Sequence, residues 1–287
     1  MKEALKNAPI SRADAIEPDK LVADFLSMYP NFTNEMQRIL DRIGEGLRYA
    51  IDSRKLEPKG KKVDVDAKFW DDLTDYAKSF GVGLVGFAPV MGEYIFMGYR
   101  LHYDNGVVLG MEMDFDSIEE APSGRAGLES MRVYAELGIA TNKIADYLRG
   151  KGYRAQACHP LGGQILYPAM AVLANLGEIG RQGLLVSPEF GPRQRLSMIA
   201  TEASPLPRVE HTNFGIGEYC EKCAACMKAC PGNAILAEPV RNENGTVTRI
   251  DYSKCLQQFY SYAGCSLCIK VCPFNRIGYE KVMALKK

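Results

Sequence analysis

Eight of the nine cysteines in this 287-residue chain lie between Cys220 and Cys272, and their spacing constrains the fold more than any other feature. The first four follow the pattern C-x2-C-x2-C-x3-C-P, and the last three repeat its end as C-x2-C-x3-C-P, with one cysteine further upstream. The two groups are Cys220, Cys223, Cys226 and Cys230, and Cys255, Cys265, Cys268 and Cys272. Eight cysteines in one segment of a chain without an export signal favour metal ligation over a disulfide framework.

The pattern is that of bacterial two-cluster ferredoxins, in which the fourth cysteine of each run ligates the other cluster. Three thiolates with two residues between them wrap one face of a cubane, and the prolyl turn carries the next thiolate toward its neighbour. We therefore expect two [4Fe–4S] clusters, one bound by Cys220, Cys223, Cys226 and Cys272 and the other by Cys230, Cys255, Cys265 and Cys268. Zinc is the alternative, but its two pairs of thiolates fit a triplet followed by C-P poorly. The nine residues between Cys255 and Cys265 depart from a simple ferredoxin and leave the second site less well defined.

Charge and hydropathy argue against binding to nucleic acid or to a membrane. The 35 basic residues balance the 35 acidic ones, so no global charge attracts the chain to nucleic acid or to an anionic membrane. No apolar run reaches the roughly 18 residues of a membrane helix. The first 20 residues contain neither an apolar export segment nor a twin arginine, which predicts a cytoplasmic protein.

Three segments with different patterns divide the chain. Residues 1–62 read as a helical N-terminal extension, with apolar side chains at helical spacing over 21–28 and 36–51. Residues 63–210 read as a mixed α/β body, and residues 211–287 as a ferredoxin-like domain dominated by cysteine. We therefore expect an α/β fold of the α+β kind followed by a smaller domain.

Helix and strand signals are spread over the α/β body. Helices are predicted over 69–80, 126–148 and 167–176. Strands are predicted over 84–90, 153–158, 184–187 and 196–201. In addition, Asp104-Asn105-Gly106 predicts a hairpin between strands over 94–101 and 107–113.

A glycine-rich string, from Ala174 to Arg195, precedes the cysteines and reads ANLGEIGRQGLLVSPEFGPRQR. Its glycines would let backbone amides approach a bulky ligand, or would simply form tight turns. The string follows a helix and leads into a strand, which is the reverse of the order in a dinucleotide-binding fingerprint.

This string, followed by Thr201-Glu-Ala-Ser-Pro-Leu206, by Phe214-Gly-x2-Glu-Tyr-Cys220 and by the cysteine runs, resembles the reductive dehalogenases and their relatives the epoxyqueuosine reductases. The resemblance implies a nitroreductase-like, corrinoid-binding α/β domain, a two-cluster ferredoxin domain, and base-off cobalamin between them. The residues that match the stretch lining the corrin are Gly177, Gly180, Arg181, Gly183, Ser187, Pro188 and Gly191.

The resemblance also implies a proton donor for the reduced product. The matching positions are Tyr134, as the acid, and Arg195, whose guanidinium would stabilise a phenolate. A core tyrosine and a structural arginine are the alternatives. The segment His159 to Gln164 departs from both relatives, because it carries neither the asparagine nor the aspartate found there. His159 itself is a candidate acid or lower cobalt ligand, or simply a loop histidine.

The sequence therefore predicts a cytoplasmic, oxygen-sensitive iron–sulfur oxidoreductase. Two clusters would pass electrons from a ferredoxin- or flavodoxin-type donor to cobalamin, which would reduce a small organic substrate. The alternative is a non-catalytic electron-transfer protein whose α/β domain docks a redox partner. The N-terminal extension would cover the corrin or form a homodimer.

Overall fold

The computed structural model describes residues 33–59, 64–96, 98–243, 245–261 and 264–285. The helix expected over 21–28 lies outside these ranges. The helices are α1 Asn34–Asp52, α2 Ala67–Lys78, α3 Phe115–Glu119, α4 Gly124–Gly150, α5 Tyr167–Leu173, α6 Ile216–Cys223, α7 Ala225–Ala229, α8 Tyr252–Ser261, α9 Leu267–Lys270, α10 Pro273–Arg276 and α11 Tyr279–Ala284. The strands are β1 Leu84–Pro89, β2 Asn105–Glu112, β3 Ala155–Cys158, β4 Glu178–Ile179, β5 Leu185–Val186, β6 Gln194–Thr201, β7 Ile235–Arg241 and β8 Val247–Ile250.

The centre of the α/β body is a four-stranded sheet in the order β1-β2-β6-β3, and every pairing in it is antiparallel. Helices cover both faces. Val107 and Leu109 of β2 pack with α2 and α4, whereas Val108 between them packs with Met170 of α5 on the opposite face. Because both faces are buried, the middle of β2, from Val107 to Met111, is continuously apolar instead of alternating. The expected mixed, α+β class is confirmed.

The hairpin expected around Asp104-Asn105-Gly106 is wrong. Asn105 and Gly106 are the first residues of β2 and pair with Pro89 and Ala88 of β1, so the partner strand lies earlier in the chain. Residues between them form a short 3-10 turn, Gly92–Tyr94, and an irregular loop. The loop bears one isolated bridge, Ile95 to Ile165. The sequence Asp104-Asn105-Gly106 therefore marks the start of strand β2 and not the turn of a hairpin.

Helix α1 packs along the long helix α4 and begins at a side-chain cap, where Thr33 Oγ1 accepts the Met36 N–H at 3.2 Å. Ile39, Leu40 and Ile43 form its buried stripe. They contact a patch of α4 that includes Tyr134. No helix within the described ranges is both long and apolar enough to cross a membrane.

The cysteine-bearing segment consists of short helices and the β7–β8 hairpin. Ile216, Phe274 and Val282 form a small buried group together with Val186 of the glycine-rich string and Cys272. The core of this unit thus includes a predicted metal ligand, which agrees with the scarcity of apolar periodicity in its sequence.

Candidate iron–sulfur centre and substrate site

The four cysteines expected to bind the first cluster come from three helix ends. Cys220 and Cys223 lie on α6, Cys226 lies at the start of α7, and Cys272 immediately precedes α10. Ala224 joins α6 to α7 with a positive φ of 53°, which turns the chain around the site. A cavity opens between these elements, and its lining includes Cys220, Cys223, Cys226, Cys272, Arg181 and Gln182. The structure therefore brings all four ligands, distant in sequence, to one cavity.

Mutual electrostatics divides the eight thiols in the same way. The pKa of Cys272 is raised to about 12, mainly by burial and to a smaller extent by the neighbouring charges of Cys220 and Cys226. In the second group, burial raises the pKa of Cys255, as do the neighbouring charges of Cys230 and Cys265. Cys230 and Cys272, which each precede a proline, thus interact with the group expected from the crosswise pattern.

The two groups are neighbours. Cys268 is partly buried, and its thiol interacts with Cys230, Cys255 and Cys265 of its own group and with Cys226 of the other. Cys226 and Cys272 of the first group are buried, whereas Cys255 of the second is exposed. The second group therefore reaches solvent at Cys255, while Cys268 of the same group packs against the core of the α/β body.

Backbone amides point at several of the sulfurs. The Ala234 N–H donates to Cys230 Sγ at 3.3 Å. Bonds from the backbone of Phe274 and Asn275 act on Cys272, and a bond from Arg181 acts on Cys220; each lowers the pKa of its cysteine against the larger effect of burial. Such donors stabilise negative charge on sulfur.

Low-dielectric surroundings make these thiols poor acids unless a cation compensates. Among the described residues, no three His, Cys, Asp or Glu side chains converge on one point that could hold a single metal ion. A cubane offers a different iron to each thiolate, so its ligands surround a volume instead of a point. The cavity, the donor set and the amides fit a cluster of this kind.

Tyr134 and Arg195, predicted as acid and partner, lie together. The guanidinium carbon of Arg195 on β6 lies 4.9 Å from the centre of the Tyr134 ring on α4. Both side chains are half-buried. Arg195 Nε is buried and has no hydrogen-bond partner in the described part of the chain. Phe259 of the cysteine-bearing segment packs against the same apolar cluster as Tyr134. The pair thus lies near the junction of the two units.

His159 lies apart from this pair and is only 3% exposed. Its Nδ1 lies 3.0 Å from the Leu161 carbonyl oxygen and 3.2 Å from the Leu161 amide nitrogen. Its Nε2 faces two helices at glycines: a Cβ would lie 2.0 Å away at Gly138 and 3.0 Å away at Gly46. Burial lowers the pKa of His159 to about 4, so the ring is neutral at pH 7 and lacks the acidic proton of an imidazolium. Its surroundings are those of a packed core histidine.

Two glycines of the string lie against the backbone of other segments of the protein, with no room for a side chain. A Cβ at Gly177 would lie 2.2 Å from the Val186 carbonyl oxygen, within the β4–β5 hairpin. At Gly191 it would lie 2.8 Å from the Phe274 carbonyl, where the string meets α10. These two glycines allow a tight hairpin and a close docking contact, which is the second of the roles considered for them.

The other residues of the string complete the same surface. Gly183 has a φ of +79°, and a Cβ at this position would lie 3.8 Å from side-chain atoms of Arg249 and Ile250 of β8. Ser187 is buried, its Oγ accepts the Phe190 N–H at 3.1 Å, and Pro188 is half-buried in the turn that follows. Arg181 donates to the carbonyl oxygens of Cys220, Glu221 and Ala237, at 3.2, 3.0 and 2.9 Å. The string is therefore the edge on which the cysteine-bearing segment docks.

Sequence reasoning missed three side chains at this edge. Glu178 accepts the backbone N–H groups of Phe214, Gly215 and Gly217, and so caps the start of α6. Arg193 donates to Asn275 Oδ1 at 2.8 Å and links the sheet to α10. Gln182 is only 4% exposed and lines the cysteine cavity. Each contact is long-range, and no local pattern marks it.

Two observations bear on a corrinoid. The unpaired Nε of Arg195, beside the Tyr134 ring, leaves a buried donor available for a ligand group. The glycines at 177, 180 and 191, by contrast, are occupied by the chain itself and leave no open cradle. Among these residues, Arg195 is therefore the one with a buried donor left open to a ligand in the described part of the chain.

Residues 219–276 match the family described as the 4Fe-4S dicluster domain. A tetrachloroethene reductive dehalogenase of Desulfitobacterium hafniense is 30% identical over 246 residues, which is 80% of this chain and 43% of the relative. The epoxyqueuosine reductase of Vibrio cholerae is 34% identical over 120 residues, which is 39% of this chain and 31% of the relative.

A solved reductive dehalogenase, one whose structure suggests a mechanism for B12-dependent dehalogenation, has a TM-score of 0.74 to this fold at 21% identity. The match covers 99% of this chain and 42% of that one. Fold and cysteine pattern thus define an iron–sulfur protein with a 4Fe-4S dicluster domain after an α+β domain. The chain is a homologue of the reductive dehalogenases and epoxyqueuosine reductases. It spans less than half the length of the tetrachloroethene reductive dehalogenases it matches.

Proposed function

We propose that this protein is a cobalamin-dependent reductase in which two [4Fe–4S] clusters relay electrons to a small organic substrate. The observation that carries the proposal is that Cys272 lines one cavity with Cys220, Cys223 and Cys226, while Cys255 has Cys230 and Cys265 as its neighbours. Two neighbouring one-electron centres form a path for electrons. The homology to reductive dehalogenases supports a reductase at the end of that path.

The direction of electron flow follows from exposure. Cys255 in the second group is exposed, while Cys226 and Cys272 in the first are buried. Electrons therefore enter at the second cluster, from a ferredoxin- or flavodoxin-type donor, and leave from the first toward the α/β body. We place the protein in the cytoplasm, where thiols stay reduced.

Tyr134 and Arg195 form the substrate end in this proposal. When bound, a corrinoid would supply a low-potential cobalt that accepts the relayed electrons and reduces the substrate. Replacing a halogen by hydrogen consumes two electrons and one proton and releases a halide. The phenol of Tyr134 holds that proton, and the positive charge of Arg195 stabilises the phenolate that remains.

A cobalamin titration of the anaerobically purified protein tests this assignment. We expect a change in the corrin absorbance to that of the base-off form, with saturation at one equivalent. Arg195→Met should weaken binding about tenfold, because it removes a charged donor. Arg208→Met, at an exposed arginine, is the matched control and should bind normally. A titration without spectral change in iron-loaded protein would instead support the electron-transfer alternative.

A further inference from the structure

The β4–β5 hairpin contacts the first cysteine group through two side chains. Arg181 binds backbone carbonyl oxygens there, whereas Gln182 contacts a cysteine sulfur. Gln182 projects from the turn of this hairpin into the cavity that the four cysteines line. Its Oε1 lies 3.8 Å from Cys226 Sγ, and its Nε2 is buried with no partner among the described residues. A buried amide donor without a partner costs stability unless something accepts its hydrogen bond.

The small residue Gly180 leaves room for the Gln182 side chain. A Cβ at Gly180 would lie 2.5 Å from Gln182 Oε1, so the glutamine side chain folds back over this residue. On either side, Glu178 caps α6 and Arg181 binds the carbonyl oxygens of Cys220 and Glu221. The hairpin is therefore fixed to the helix that carries two of the expected ligands, and this contact positions Gln182 in the lining of the cavity.

The chemistry of Cys226 decides which end of the amide faces the sulfur. The contact from Sγ to Oε1 requires a thiol proton. A cysteine that ligates iron is a thiolate, which only accepts hydrogen bonds. The amide then turns so that Nε2 donates to sulfur, and this turn breaks no other hydrogen bond, because Nε2 has none in the described structure.

We propose that Gln182 donates a hydrogen bond to the sulfur of the first cluster and thereby raises its reduction potential. The proposal rests on the cluster assignment in the proposed function. Reduction adds negative charge to the cluster, and a donor at sulfur stabilises the reduced form more than the oxidised form. Gln182 is a positioning residue of the electron path, placed where electrons leave for the α/β body.

Redox titration of the holoprotein, followed by EPR, tests the proposal through a readout other than turnover. Gln182→Met keeps the length of the side chain and removes the donor. We expect the iron content to stay at that of the wild type, and one of the two cluster potentials to fall. A tenfold loss in the equilibrium constant for one-electron reduction corresponds to about 59 mV.

Two further variants make the test decisive. Gln182→Glu retains the shape but adds a charge, and should lower the same potential further. Gln194→Met removes a buried amide that bonds the Leu185 carbonyl outside the cavity, and should leave both potentials unchanged. Unchanged potentials in Gln182→Met, or equal shifts of both clusters, would overturn the role of Gln182. Wild-type protein without cluster signals would instead refute the cluster assignment itself.

Discussion

At the scale of single residues, Tyr134 and Arg195 show what a resemblance can add to local patterns. Nothing in the periodicity of α4 distinguishes Tyr134 from a core tyrosine, and it does pack against apolar side chains. The contact with Arg195, 61 positions away in the chain, comes from the placement of α4 over the sheet. Only the resemblance predicted that the two side chains would meet.

Substitution of Tyr134 by phenylalanine tests its role as proton donor. Because a positioned general acid typically contributes a factor of 10² to 10⁴, we expect turnover to fall at least about 100-fold. The assay would use cobalamin-loaded protein, a low-potential chemical reductant and tetrachloroethene as the probe. Tyr76→Phe, at a tyrosine stacked on Tyr147 away from the site, should retain turnover. Full activity in Tyr134→Phe would show that the proton comes from elsewhere.

His159 gives a prediction about pH. Its pKa is about 4 in the folded protein and about 6.5 in an unfolded chain, so between these values the unfolded chain binds more protons. The neutral ring therefore contributes its full stability above pH 6.5, and this contribution disappears as the pH falls toward 4. The shift corresponds to about 3 kcal/mol.

Thermal unfolding of the holoprotein at pH 7.5 and pH 5.0 would measure this effect. The melting temperature of the wild type should fall more between the two pH values than that of His159→Gln, which has no group titrating there. His211→Gln, at an exposed histidine, is the matched control and should behave like the wild type. Equal pH dependence in wild type and His159→Gln would contradict the buried, neutral ring.

At the scale of elements, local signals predicted helices better than strand partners. Helices α1, α2 and α4 follow the predicted ranges closely, because an amphipathic stripe and its cap are local properties. The pairing of β2 with β1 and β6 is not local. The turn signal at Asn105-Gly106 falls on the first residues of β2, and this strand pairs with residues on the far side of a long loop instead of with the residues just before the signal.

The hairpin formed by β4 and β5 is the element whose role the sequence left most open. Glu178 at its start accepts three N–H groups at the beginning of α6. A carboxylate at a helix N-terminus satisfies unpaired donors and interacts favourably with the helix dipole. The geometry of Cys220 and Cys223 on α6 therefore depends on a residue of the α/β body.

Replacing Glu178 by glutamine should loosen the first cluster. The amide keeps the shape but removes the charge and one acceptor, at a cost of about 1–2 kcal/mol. We expect iron release to a chelator to accelerate about tenfold, since 1.4 kcal/mol corresponds to that factor. Glu189→Gln, at an exposed carboxylate of the same string, should release iron at the wild-type rate. Equal rates in both variants would argue against the capping role.

At the scale of the whole molecule, the glycine-rich string unites the two parts of the protein. Arg181 binds α6, Gly191 touches α10, and Arg193 binds Asn275. Lys270 of the cysteine-bearing segment also contacts the α/β body, because it donates a hydrogen bond to the Ala121 carbonyl oxygen at 2.9 Å. The cluster unit is thus held against the body at several points. This arrangement suits electron transfer across a fixed distance.

The spacing of the eight cysteines predicted a grouping because the runs C-x2-C-x2-C-x3-C-P and C-x2-C-x3-C-P are themselves local patterns. The docking surface was not predictable in the same way, since its contacts join positions up to about 150 residues apart. The glycine-rich string has the sequence of a ligand-binding loop, but its glycines at 177 and 191 contact the backbone of other segments. Glycine permits close approach both to a ligand and to another backbone segment, so the sequence pattern does not distinguish the two.

The central claim is that the proline-flanked cysteines bind crosswise. Iron analysis and EPR of anaerobically purified Cys272→Ser and Cys230→Ser test it most directly. We predict about eight irons in the wild type and about half in each variant, with Cys272→Ser losing the cluster of Cys220, Cys223 and Cys226, and Cys230→Ser losing the other. Zinc in place of iron, or a Cys272→Ser protein that keeps both cluster signals intact, would contradict the account.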